Sequence, residues 1–284
     1  MQEFDTLIAV DWSAASVPVK GENSIWMSRR DDGGAHDLFN FSTRSEAEQY
    51  LASQIEASRA AGTRLLMGFD FPFGYPEGFT KALGRSAHDP NPPWRVIWQT
   101  FTDLVEDNDR NQNNRFAVAA QLNQRMGFAE GPFWGCPVKH TGPFLSPYRP
   151  KQHFIAERRL CEVPVPKSQP GWKLAYIGSV GSQGLMGIPV LERMRARHGV
   201  RVWPFEGIPA SGPCQVFTEL YLSLWPVGDF GGPCKDADQV QAMTQRWLDD
   251  QPQLLTWMNQ RYPAVVYEEE GWVLGVDPAS PAGE

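Results

Sequence analysis

The sequence predicts an α/β protein built on a mixed sheet with flanking helices. Two short apolar runs, residues 6–10 and 65–69, each close on an aspartate, Asp11 and Asp70. Uninterrupted apolar runs of this length read as strands buried on both faces. Between them the pattern gives two further strands and a capped amphipathic helix. The order is therefore strand, strand, strand, helix, strand, the start of a mixed sheet with a helical crossover.

Each element has a local reason. Residues 6–11 (TLIAVD) form the first strand, followed by a polar loop holding Pro18 and Gly21. Residues 24–29 (SIWMSR) read as the second strand, Asp31-Asp32-Gly33-Gly34 as a turn, and residues 37–41 (DLFNF) as the third. Ser42-Thr43-Arg44-Ser45 place capping residues ahead of Glu46, which opens a helix. That helix carries Ala47, Tyr50, Leu51, Ile55 and Ala60 to one side and stops at Gly62. Residues 64–70 are the fourth strand.

The middle of the chain changes character. Pro, Gly and aromatic residues crowd 72–93 and 131–150 and predict long ordered loops. Residues 93–126 read as mostly helical, interrupted by the polar run 106–111. A short helix is expected at 154–160 and a longer one at 184–198, with Pro189 in its early part. Residues 73–198 thus read as a cap-like insertion over the sheet within a single domain spanning 1–284. Strands are expected again at 200–205 and 215–221. A helix at 236–250 buries Val240, Met243, Trp247 and Leu248, and residues 264–268 and 271–275 read as a terminal strand or hairpin.

Composition narrows the function. Of 284 residues, 42% are hydrophobic and 21% charged, enough for a sizeable core. The net charge of -7 argues against coating long nucleic acid through bulk charge. No run approaches the roughly 20 apolar residues of a membrane helix. The N-terminal residues lack the basic start and apolar core of a leader. The four cysteines form no C-x-x-C pair. The expectation is a cytoplasmic protein with reduced thiols and no membrane partner. Eleven Trp and 24 Pro imply loops packed by aromatic side chains.

Chemistry concentrates in two groups of residues. A carboxylate at a buried strand end is costly unless it is paired or holds a cation. Asp11 and Asp70 together point to a shared site for Mg²⁺ or Mn²⁺; the alternative is that each bonds nearby loop amides. Glu219 ends a third apolar run, and Asp236 and Asp238 begin a late helix, where an acid is equally a cap. The candidate ligands are Asp11, Asp70, Glu219, Asp236 and Asp238. Only one of the last two can face the site, and Asp238 is favoured. Asp11, Asp70, Glu219 and Asp238 form the catalytic candidate. The second group is the Gly/Ser-rich stretch 172–184 before a helix, suited to presenting N–H groups to phosphate or to making a tight turn into the helix. Lys173, Ser179, Ser182 and Gln183, with Ser13 and Arg115, are the candidate substrate contacts. The stretch matches neither a Walker nor a Rossmann motif.

Other groups carry less. Arg149, Lys151, Arg158 and Arg159 with Tyr148, His153 and Phe154 can contact phosphates or stack a base, or form a solvated basic face. His140 and His153 have no ligand partner at helical spacing. Cys136 lacks the His–Asp company of a nucleophile.

The order of strands and acids resembles the ribonuclease H-like fold, and the acids resemble those of RuvC-type Holliday-junction resolvases. Val10-Asp11-Trp12-Ser13-Ala14, the segment 68–74 (GFDFPFG), Thr218-Glu219-Leu220-Tyr221 and the segment 270–276 (EGWVLGV) are similar to the domain-of-unknown-function 429 family. The resemblance covers both ends of the chain and little of its middle. It departs from the resolvases in having Asp70 where they carry Glu, and D-x-D where they carry D-x-x-D. It transfers fold better than activity.

Three functions follow as expectations. The first is a divalent-metal-dependent hydrolase of a phosphodiester or phosphate ester, acting on a nucleotide or short nucleic acid. The second is a nucleotide- or cofactor-binding protein without nuclease activity, for example in nucleotide-containing cofactor synthesis. The third is a non-catalytic ribonuclease H-like scaffold.

Overall fold

A computed structural model describes residues 1–278 except His153 and Pro166, so the reading of His153 lies outside the described residues. Strands β1 (Thr6–Asp11), β2 (Ile25–Asp31) and β3 (His36–Phe41) form an antiparallel meander. Helix α1 (Arg44–Ala61) then crosses to β4 (Arg64–Phe69), which pairs parallel to β1 on its other side. Thr43 and Glu46 close a reciprocal capping box, and Gly62 ends the helix at φ 69°. Ala47, Leu51 and Ile55 are buried as the pattern requires, whereas Ala60 is exposed on the last turn.

The chain then leaves the sheet. It builds a short helix α2 (Phe79–Ala82), then α3 (Pro93–Leu104), α4 (Arg115–Arg125) and α5 (Gly181–His198). It returns as β5 (Arg201–Val202) and β6 (Cys214–Glu219), both parallel to β4. The six strands lie in the order β3-β2-β1-β4-β6-β5. Helices α6 (Lys235–Asp249) and α7 (Gln251–Asn259) and a π-helical turn at Val266–Glu270 complete the described chain.

The sheet separates two apolar clusters, as alternating side chains demand. Ile8 and Val10 of β1 face the cluster that holds α1, α3, α4, α5 and the aromatic group Tyr75, Phe79, Phe133 and Trp172. Leu7 and Ala9 face the cluster built with Val240, Met243 and Trp247 of α6. The inserted segment therefore shares one core with the sheet. Two close approaches fix it there. A Cβ on Gly187 of α5 would sit 2.2 Å from the ring of Phe71, and one on Gly74 would sit 2.2 Å from the Glu269 carbonyl. Only glycine fits either position.

Several elements differ from the sequence reading. α5 begins at Gly181 and holds Pro189 in its interior, because the close approaches of its glycines outweigh their poor helix propensity. Residues 154–160 form no helix; a single 3₁₀ turn follows at Leu160–Glu162. The expected strand at 200–205 is only two residues long. The terminal hairpin is absent. Residues 266–270 make the π-helical turn, and Val273 meets Glu219 through one isolated bridge. No helix among the described residues is long and apolar enough to cross a membrane.

Candidate functional site

The parallel strands bring their ends to one edge of the sheet. Val10 of β1 lies opposite Phe69 of β4, so Asp11 and Asp70 emerge side by side. Alternation sends both towards the face covered by α6. The two carboxyl groups lie close enough to perturb each other's ionisation. Asp70 Oδ1 accepts the Trp12 N–H at 2.7 Å. Burial, then the charges of Asp70 and Asp236, push Asp11 well above the usual carboxylate range. Burial raises Asp70 to about 6, although the bond from Trp12 and the neighbouring Asp11 work downward.

These shifts predict a pH dependence. Both are upward, so the folded metal-free protein keeps protons that the unfolded chain has already released. The contribution of Asp70 is complete below its ordinary pKa of 3.8 and is lost as pH rises through about 6. Asp70→Asn keeps an acceptor for Trp12 and removes the titration. In EDTA, its melting temperature relative to wild type is expected to climb between pH 5 and pH 7.5. A difference that stays flat over that interval would show that the acid pair is not strained.

Of the two acids on α6, Asp236 is the one brought to the pair. Its charge is felt by both Asp11 and Asp70, and its Oδ2 accepts the Asn23 N–H at 3.2 Å. Asp238, favoured by the sequence, turns away and accepts the Gly232 N–H at 2.8 Å. Two residues on a helix lie about 200° apart, so both cannot face one cleft.

Glu219 does not reach the pair as a free carboxylate. Its two oxygens take Arg159 Nη2 at 2.6 Å and Nη1 at 2.8 Å, and Oε2 also accepts the Phe73 N–H at 3.0 Å. Arg159 further bonds Glu162 through Nε at 2.8 Å and the Glu270 carbonyl at 3.0 Å. All of this is buried. Asp70 and Glu219 both line a cavity of about 40 Å³, room enough for water. Among the described residues, no three His, Cys, Asp or Glu side chains gather as a ready metal cage. The donors are two adjacent carboxylates with Asp236 beyond them. That chemistry suits a hard cation that takes one or two carboxylates and keeps its remaining waters.

Asp11 and Asp236 open onto a cleft of about 700 Å³. The Gly/Ser stretch lines the same cleft through Ser179, Ser182 and Gln183, and Ser13 and Arg115 join it. α5 precedes parallel strand β5 and α6 follows β6, so both helices start at this edge of the sheet. Lys173 is the exception among the expected contacts. Its Nζ donates to the Ile177 carbonyl at 2.7 Å, bracing the loop from outside the cleft. The buried Arg44 guanidinium fixes the opposite wall by donating to the carbonyls of Ser13 and Ala15 while paired with Asp107 at 2.6 Å.

Arg115 is the unusual cation of the cleft. Nε donates to Ser182 Oγ at 3.1 Å and Nη1 to Ser16 Oγ and Asn113 Oδ1, each at 2.8 Å. All its partners are neutral. Burial, reinforced by Arg44 nearby, lowers its pKa to about 10. The charge of Asp107 works against this shift but no carboxylate among the described residues bonds Arg115, and a half-buried guanidinium so placed is a cation that an anion would stabilise. Lys167, Tyr176 and Tyr221 also line the cleft; Tyr176 lies within the Gly/Ser stretch and Tyr221 two residues after Glu219, but neither residue type nor spacing marks the three as contacts. Comparison with protein-family models, with curated proteins and with solved structures finds no match for this chain.

Proposed function

We propose that the cleft binds a phosphate-bearing small molecule, a nucleotide or the end of a short nucleic acid, and hydrolyses its phosphoester with Mg²⁺ or Mn²⁺ at Asp11 and Asp70. The observation that carries this reading is that Asp11, one half of a strained acid pair, opens with Asp236 and an arginine bonded only to neutral groups onto one cleft, while Asp70 lies directly behind Asp11. A cation at the pair would supply electrostatic stabilisation to the phosphoryl oxygens. Arg115 holds and orients the phosphate from the other side, helped by the N-terminal turn of α5. Asp236 stands where it can accept a hydrogen bond from water. The antiparallel meander, followed by the crossover to parallel strands, supports a ribonuclease H-like reading of the fold. Glu219 stays outside the proposal, because Arg159 occupies it.

A second reading, a nucleotide- or cofactor-binding protein without hydrolysis, is favoured by one observation. The Arg115 anion site is complete without any metal. Steady-state hydrolysis of p-nitrophenyl phosphate and bis(p-nitrophenyl) phosphate with Mn²⁺ tests the enzyme. Arg115→Gln is expected to raise KM about 10- to 100-fold, the loss of a charged hydrogen-bonding partner, while the melting temperature stays within a few degrees. Absence of Mn²⁺-dependent turnover of both esters by the wild type would end the enzyme reading and leave the binding one.

A further inference from the structure

The cleft is larger than a phosphate and a cation require. Its volume of about 700 Å³ lies within the range of pockets that enclose whole small ligands. Three aromatic side chains line it. Trp12 is buried, its ring packed against Phe69 and Phe71. Tyr221 is half-buried, with its hydroxyl donating to the Lys167 carbonyl at 3.2 Å. Tyr176 is different. It is 60% exposed, next to Ile177 at 97%. Among the described residues no other ring packs on it. Its backbone sits at φ 74°, a conformation that a bulky side chain adopts only when its surroundings impose it. The surroundings do so here: the Tyr176 carbonyl accepts the Ser179 N–H at 3.1 Å, and Lys173 Nζ holds the Ile177 carbonyl at 2.7 Å. A costly backbone therefore holds an open aromatic face beside a cleft that already has an anion site.

We propose that Tyr176 is the stacking platform for the base of a nucleotide whose phosphate lies at Arg115. The proposal rests on the phosphate-binding reading above and adds the class of group attached to the phosphate. A base presents a π-face whatever its identity, so stacking on Tyr176 selects nucleotides over sugar phosphates without selecting among bases.

Calorimetric titration of AMP and of ribose 5-phosphate into the full chain with Mn²⁺ tests it. The wild type is expected to bind AMP roughly 5- to 150-fold more tightly, the range for one stacked base. Tyr176→Ala should bring AMP down to the level of ribose 5-phosphate, and Tyr176→Phe should keep the preference. Tyr176→Gly removes the ring and relieves the backbone at once. It should lose the preference and melt no lower than the wild type, which separates loss of stacking from loss of fold. Equal affinity of the wild type for the two ligands overturns the platform and leaves the phosphate site standing. A preference that survives Tyr176→Ala overturns the platform as well. Binding of neither ligand overturns both.

Discussion

Arg159→Met is expected to destabilise the protein by about 3–5 kcal/mol at neutral pH, the usual result of removing one partner from a buried ion pair. Glu162 and Glu219 would be left as buried carboxylates facing each other, and burial already holds Glu162 above its ordinary pKa. The Glu270 carbonyl would lose its donor as well. Urea denaturation followed by circular dichroism measures the loss. Arg159→Met/Glu219→Gln, which removes a charge from both sides, should recover part of it. An unchanged urea midpoint in the single variant would mean that Arg159 does not hold the inserted segment to β6.

Asp11→Asn should behave in the opposite way. It breaks the acid pair without removing its hydrogen-bonding capacity, so the metal-free protein should melt at the same temperature or higher. Manganese should raise the melting temperature of the wild type by mass action and barely move that of the variant. Loss of a direct ligand is expected to lower Mn²⁺-dependent turnover by more than the 10- to 100-fold typical of outer-shell changes. A further signature follows from the upward shifts of the pair, since a protonated carboxyl must release its proton before it holds a cation. The calorimetric heat of Mn²⁺ binding near pH 6 should therefore vary with the ionisation enthalpy of the buffer. Heats that do not depend on the buffer, or equal thermal shifts in both proteins, would exclude a cation from Asp11 and Asp70. Glu219→Gln serves as the contrast. As a partner of Arg159 it should lose stability, where Asp11→Asn loses none.

The first seventy residues were legible because their signals are local. The Thr43–Glu46 box, Gly62 and the apolar runs around Asp11 and Asp70 each specify an element without help from distant residues. α5 was harder to read because its glycines answer to Phe71, more than a hundred residues away. α7 has ordinary start signals in Asp250, whose side chain accepts the Gln253 N–H, and Pro252, but it follows α6 with no loop between them, so in sequence the two helices run together. A π-helical turn replaces the expected terminal strand or hairpin because Glu269 and Glu270 turn inward. Glu269 accepts the N–H groups of Gly78 and Thr80, and Glu270 those of Glu77 and Leu160. Glu219 shows the limit most clearly. A carboxylate at a strand end looks the same in sequence whether a cation or a buried arginine from a distant loop neutralises it. Asp236 and Asp238 needed helix phase to be told apart, and that phase depends on where the helix begins.

The placement of β4 next to β6 has a consequence for synthesis. β1, β2, β3, α1 and β4 can assemble as soon as they leave the ribosome, since each contacts near neighbours in the chain. The partner for the other edge of β4 lies about 150 residues further on. At bacterial or eukaryotic elongation rates this leaves that edge bare for roughly 8–30 s. Residues 64–69 are all buried in the finished protein. During that interval they are an apolar strand with unpaired N–H and C=O groups, the form that recruits strands from other chains. The nascent chain is thus most exposed to aggregation after residue 70 and before residue 214 appears, while the inserted segment is covering one face of the sheet and leaving its edge open.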